Sequence, residues 1–436
     1  MMKRKTVHFV GSAFYFPANS RCRSTRRGCL GQSHDEGFHR ADCGEHPEGG
    51  CSLHSQFRHW CGWLFALSLL TPQTVAAQAV YCGAVLTQSV TLTADLDCRA
   101  TFGNGLTIIS SSDISLNCDG HRITGGNAPG SAGVELSDVS RVTVMNCAIT
   151  GFSEGISVDF GANNAIRRNT ADNNSDNGFR VFLSSNNELE RNSASSNRDG
   201  FGILGSTNNQ IRENTVSDNQ RAGFSMQGSS GNTVEHNTAN NALLGFLSEF
   251  GTNNRFAHNT ANENNFGFLF NREEQDETIL HNTANDNVIG LSTRTSNSVF
   301  EHNELRGSVN FGFILSDARI QDGSGTNNLI RGNIVSGSGF NGVLITSSRG
   351  NLSMNNIFRD NVAENNGRIA RASGFAFTSG GGNFVQDNQS NGNSGFGFAD
   401  TTTGSGTSGT ANTYADNICV DNVLGTSNPP ELCDGH

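Results

Sequence analysis

Proline is almost missing from this chain: there are 6 in 436 residues, and none lies between Pro129 and Pro429. Collagen-like and proline-rich disordered architectures are therefore excluded. Tryptophan (2) and tyrosine (3) are as scarce, so the aromatic content is almost wholly the 29 Phe. Charged residues make up only 16%, and a net charge of −11 offers no basic face for nucleic acid. No apolar run is long enough to span a bilayer. What is abundant is Gly, at 52 residues, together with Asn, Ser and Thr. Asn and Gly form helices poorly, and the balance suits a β-rich extracellular chain.

The segment 62–79 reads as a secretory signal. Arg58 precedes the apolar run Trp63 to Leu70, and the small residues Val75-Ala76-Ala77-Gln78-Ala79 supply a cleavage site after Ala77 or Ala79. The expected address is secreted or periplasmic. Residues 1–57 carry Cys22, Cys29, Cys43 and Cys51 without hydrophobic periodicity, so 1–52 is expected to stand outside the working protein, with 1–79 as the leader. Past residue 77 there is no Lys at all, and 20 Arg face 35 Asp and Glu. Six Cys remain, at 82, 98, 118, 147, 419 and 433; an even count in an exported chain predicts disulfides that staple the two ends. Cys419–Cys433 is the pairing expected at the far end, and Cys118 and Cys147 fall on adjacent repeats.

A repeat decides the architecture. Asn recurs at 169, 192, 214, 237, 259, 282 and 303, spaced by 21 to 23 residues, and again at 333, 361, 388 and 417, spaced by 27 to 30. An apolar residue stands three places before each, from Ile166 and Leu189 to Val385 and Tyr414. A second column of Gly followed by an apolar residue runs in register, from Gly178-Phe179 to Gly397-Phe398. Leucine-rich repeats need several Leu per unit, which are not there. Short apolar–polar alternations separated by Asn, Ser and Gly instead bend the chain two or three times per unit. Stacked coils put like residues about 4.8 Å apart, so inward Asn amides bond along the stack and Phe and Ile form a continuous core. The expectation is an all-β, single-stranded right-handed parallel β-helix of 12–13 coils. Its parts are a cap and first coil at 80–112, the helix proper at 113–417 and a C-terminal cap at 418–436.

The units Asn164-Ala165-Ile166-Arg167-Arg168-Asn169-Thr170 and Asn209-Gln210-Ile211-Arg212-Glu213-Asn214-Thr215 resemble parallel β-helix repeats of the pectin-lyase-like superfamily, especially its NosD-like subset. Cys82-Gly83, Asp97-Cys98 and Asn117-Cys118-Asp119-Gly120-His121 resemble the opening coils of exported bacterial β-helix proteins. The resemblance covers roughly Val80 to Asn417. It implies a fold that hosts lyases, hydrolases, epimerases and adhesins, and an extended polysaccharide as partner.

Two groups of residues are candidates for chemistry. The first follows the Gly-Phe column: Glu249, then Glu273 and Glu274 with Arg272, Asp276 and Glu277, then Arg294, then Asp317 and Arg319. Paired carboxylates there would serve glycoside hydrolysis; the resemblance to pectate lyases implies instead carboxylates holding Ca²⁺ beside a proton-abstracting Arg. The plainer reading is a charged, solvent-facing turn. The second is the column His236, His258, His281 and His302, just before the ladder Asn in four successive coils. Neighbouring imidazoles could jointly hold Zn²⁺ or Cu²⁺, and the NosD-like resemblance implies copper. The plainer reading is an outward polar column at a bend, because Arg168, Arg191, Glu213 and Asp360 hold the same place. Asp119 and His121 read as a turn, and Asp176, Arg198 and Arg221 as an ion-pair ladder between coils. A polysaccharide lyase or hydrolase, a metal accessory protein and a non-catalytic adhesion module all remain open.

Overall fold

A computed structural model describes residues 78, 80–316, 325–346 and 354–435. The signal segment apart from Gln78, the 1–52 extension, Asp317 and Arg319 lie outside the described residues. Each coil contributes one strand to each of three parallel sheets of fifteen, fourteen and fifteen strands, and every strand pairs with its counterpart one coil away. One coil shows the pattern. Strand β1, Asn177–Phe182, lies in the first sheet; β2, Glu188–Glu190, in the second; β3, Ser193–Ser195, in the third. The chain then re-enters the first sheet as β4, Asp199–Leu204, with Phe179 opposite Phe201. The expected β-helix is thus observed, and the only helical turn among the described residues is a 3-10 turn at Thr407–Gly409.

The interior explains both sequence columns. Phe179, Phe201, Phe224, Phe246 and Phe268 stack with ring centroids 4.6–4.9 Å apart and planes within 18°, which is offset-stacking range. Glycine precedes these rings because the coil is too narrow there for a side chain: a Cβ on Gly178 would lie 2.7 Å from Ala194 Cβ and 2.8 Å from Gly200 O. The Asn column forms the corner between the second and third sheets. Asn169 N and Nδ2 both donate to Asn192 Oδ1, at 2.9 and 3.1 Å, while Asn192 Nδ2 donates back to Ile166 O at 2.8 Å. Similar ladders occupy the other two corners, starting at Asn164 and Asn174. They satisfy backbone groups that the turns would otherwise bury without partners.

The residue before each ladder Asn at the second corner has left-handed backbone: φ is 55° at Arg168, 55° at Glu213, 56° at His236 and 56° at Asp360. One such residue makes the bend, and its side chain projects outward whatever its type. Three disulfides, Cys82–Cys98, Cys118–Cys147 and Cys419–Cys433, fall in the terminal coils. Closing loops of 14 to 29 residues stabilises by about 3 kcal/mol each through the unfolded chain. Among the described residues no helix is long and apolar enough to cross a membrane.

Candidate active site on the outer face of the first sheet

Outward positions of the first sheet change character along the stack. In register they read Glu135, Ser157, Arg180, Gly202 and Ser225, then Leu247 and Leu269. The missing side chain at Gly202 opens a cleft of about 190 Å³, bordered by Asp176, Arg180, Arg198, Asp199 and Arg221. A Cβ there would meet Asn177 Oδ1 at 2.5 Å and push that side chain aside.

The cleft is held by ion pairs between coils. Arg180 donates to Asp159 at 2.5 Å and to Ser157 Oγ at 3.2 Å, with its guanidinium 4.5 Å above the Phe182 ring. Arg198 donates to Asp176 at 3.0 Å. Arg221 Nε donates to Asp199 Oδ1 at 2.8 Å, and Nη2 to Ser225 Oγ at 3.0 Å. Asp199 is buried and also accepts Ala222 N at 3.1 Å. Beside this set the half-buried Glu154 accepts the Asn177 backbone N–H at 3.2 Å. Burial, reinforced by the charge of Asp176, pushes the Glu154 pKa up to about 7. Near neutrality it can hold a proton, while the Asp199 carboxyl is tied up by its hydrogen bonds with Arg221. Sequence reasoning read Asp176, Arg198 and Arg221 only as an ion-pair ladder and passed over Glu154, Arg180 and Asp199. For Arg180 and Asp199 the signal was available, because Asp159 and Arg221 lie 21 and 22 residues away on the neighbouring coil.

The residues singled out from sequence separate. Glu249 stands at the outer end of the same sheet, opposite Asn271, and accepts from Asn271 Nδ2 and Arg272 Nε, both at 3.3 Å. Arg294 joins this chain by donating to Asn271 Oδ1 at 3.1 Å. Glu273 is exposed at a left-handed turn with φ of 61°. Glu274 lies inside the coil at 1% exposure, where Oε1 accepts from Ser248 Oγ at 2.9 Å and Gly251 N at 3.0 Å. Glu277, also at 1% exposure, takes a place in the first-corner Asn ladder. Burial, then the neighbouring Glu274, pushes the Glu277 pKa up to about 10, and burial raises Glu274 as well.

The four histidines form a continuous stack. Ring centroids are 4.9, 5.1 and 5.1 Å apart, with interplanar angles of 4°, 1° and 19°. His302 ends it against Gly332, whose missing Cβ leaves the ring room. In this arrangement the nitrogen lone pairs, which lie in the ring planes, run side by side rather than converging. Among the described residues no group of three or more His, Cys, Asp or Glu is gathered to hold a metal ion. Burial and the flanking His236 and His281 lower the His258 pKa. Asp119 makes a left-handed turn, and His121 Nδ1 meets Asp95 Oδ1 at 3.2 Å.

The family model described as the right handed beta helix region matches residues 104–243 and 195–321, together half of the chain. No curated protein matches. Among solved structures, the mannuronan C-5 epimerase AlgE6 A-module of Azotobacter vinelandii is 14% identical, with a TM-score of 0.49, over 77% of this chain and 91% of that one. The catalytic domain of a GH87 alpha-1,3-glucanase in complex with nigerose is 14% identical, with a TM-score of 0.44, over 80% of this chain and 68% of that one. The DFA-IIIase of Arthrobacter chlorophenolicus A6, without its lid and in complex with GF2, is 11% identical, with a TM-score of 0.40, over 60% and 71%.

Proposed function

The chain belongs to the right-handed β-helix family, and from that premise we propose that it is an exported protein whose first sheet binds an extended polysaccharide and cleaves it. The observation that carries this reading is the polar cleft on one outer face: Asp176, Arg180, Asp199 and Arg221 line it from neighbouring coils, Glu154 is bonded to Asn177 at its edge, and the Glu249–Asn271–Arg294 group lies further along the stack. A polymer laid across the coils meets a new set of side chains at each step of about 4.8 Å. Arginine forks and carboxylates are suited to sugar hydroxyls and uronate carboxylates. Glu154 is the group equipped to deliver a proton to a leaving oxygen, the acid role in glycoside hydrolysis. Three disulfides support an oxidising compartment, and with it secretion or export to a periplasm.

The test is incubation of the full chain with acidic and neutral polysaccharides, with and without Ca²⁺, following retention, new reducing ends and unsaturated products. One polymer is expected to be retained and cleaved, with cleavage declining as pH rises past about 7. Glu154→Gln is expected to lose cleavage and keep retention, and Arg294→Ala to weaken retention. Absence of retention across a broad panel would overturn the reading; retention without cleavage would reduce it to a binding module.

A further inference from the structure

The third sheet has a different outer face. Across six successive coils its two outward positions read Thr170 and Asp172, Ser193 and Ser195, Thr215 and Ser217, Thr238 and Asn240, Thr260 and Asn262, Thr283 and Asn285. Thr215, Thr238, Thr260 and Thr283 are paired in register, and so are Ser217, Asn240, Asn262 and Asn285. The residue between each pair is buried and small: Ala171, Ala194, Val216, Ala239, Ala261 and Ala284. The result is two straight files of short polar side chains, about 4.8 Å apart along the stack and about 6.6 Å apart along each strand.

Composition narrows what this face can meet. It carries no aromatic ring on which a sugar could stack, no Arg for phosphate or carboxylate, and no apolar anchor of the kind that dominates protein interfaces. Its single charge, Asp172, stands in the first coil and is taken up by Ser195 N and Oγ, both at 2.7 Å. The files end where Glu304 and Arg306 introduce an ion pair. A neutral grid of hydroxyl and amide groups with methyls between them, fixed on a rigid backbone, matches a lattice rather than a molecule. The amide oxygens of Asn240, Asn262 and Asn285 are buried and have no partner within the protein. The terminal amide torsion is soft, so a half-turn sets three acceptors in register on the surface.

We propose that the outer face of the third sheet, from Thr170 to Asn285, is an ice-binding surface. The repeat along the stack is close to an oxygen repeat on an ice crystal, so water ordered along the files continues into the lattice. Each contact is weak and water-mediated. The stack holds many of them in place before binding, which removes the ordering cost that a flexible surface would incur. This surface is separate from the polysaccharide face, and either assignment stands without the other.

The experiment is partition of the full chain into a slowly grown ice front, with ice recrystallisation in sucrose as a second readout. Wild type is expected to enter the ice and to halt crystal coarsening. Thr260→Tyr, which lifts a bulky ring from the middle of one file, is expected to fall to the level of a non-binding protein. Thr278→Tyr, at an outward position of the second sheet, is expected to behave as wild type, and circular dichroism of both variants controls for folding. Exclusion of wild type from ice would overturn the proposal. So would equal incorporation of Thr260→Tyr, or retention of the protein on crystalline cellulose or chitin but not on ice.

Discussion

Two corners of the same coils solve one problem differently. Between the second and third sheets, asparagine follows asparagine from Asn169 to Asn417, each backbone N–H donating to the next Oδ1 at 2.8–3.0 Å. Between the first and second sheets the ladder runs from Asn164 to Asn254, passes through Glu277 and Ser298, and resumes at Asn328. Glu277 Oε1 does the work of an amide oxygen, accepting Asn254 N at 3.3 Å and Nδ2 at 3.2 Å. Its other oxygen, and that of the adjacent Glu274, have no partner fixed by the backbone. Two carboxylates side by side in an apolar coil would repel, so one proton is held between them. A carboxamide brings its own hydrogens to the ladder; a carboxyl must take one from the solvent, and its fit depends on pH.

Breaking the intact corner should have the largest effect. Asn259→Leu takes the ladder acceptor from the buried Asn237 N and Nδ2 and removes the amide donor to Val234 O, and destabilisation by about 3 kcal/mol is expected in urea unfolding. Healing the other corner comes next. Glu277 has its pKa raised above the unfolded value, so its contribution is complete below about pH 4.5 and is lost as pH rises toward about 10. Wild type should therefore weaken from pH 6 to pH 8 by up to about 1.4 kcal/mol per pH unit for this one proton. Glu277→Asn should flatten that slope and exceed wild type at pH 8. If the two unfolding midpoints move in parallel with pH, the shared proton is disproved. The smallest effect belongs to the outside of the second corner. His258, with its pKa lowered by burial and by its flanking imidazoles, contributes stability that is lost on acidification through about pH 6.5. Its sign is opposite to that of Glu277. His258→Asn, which suits a left-handed turn, should show a slightly smaller loss of melting temperature between pH 7 and pH 5.

How far the residues announce this structure follows from what each property depends on. The coil length, the second-corner ladder and the Phe stack are periodic, and period is visible without coordinates. The Cys419–Cys433 pairing was expected from position and is observed. The burial of Glu274 and Glu277 was hidden, because a carboxyl and a carboxamide have nearly the same shape and only a proton separates an interior group from a surface one. Register would have exposed it: Glu277 lies 23 residues after Asn254, in the Asn file. Histidine raised a different difficulty. A column spaced for ligands in sequence becomes a pile of parallel rings once each sits on the same left-handed bend. Glu154 escaped notice because its pKa comes from burial and proximity to Asp176, neither of which is a motif.

Parallel in-register stacking of like side chains is also the arrangement of fibrils, which grow because each end is a template for the next chain. Nothing in the repeating coils would stop that growth here, so restraint must come from the two ends. The last strand of the first sheet, Gly425–Asn428, pairs on one side only and runs straight into Pro429 and Pro430. These are the first prolines after Pro129, and neither has an N–H to offer an incoming strand. At the opposite end the edge is two residues long, Ala84–Val85, and is tied down by Cys82–Cys98. The residue banished from the body of the solenoid returns where the chain has to refuse a copy of itself.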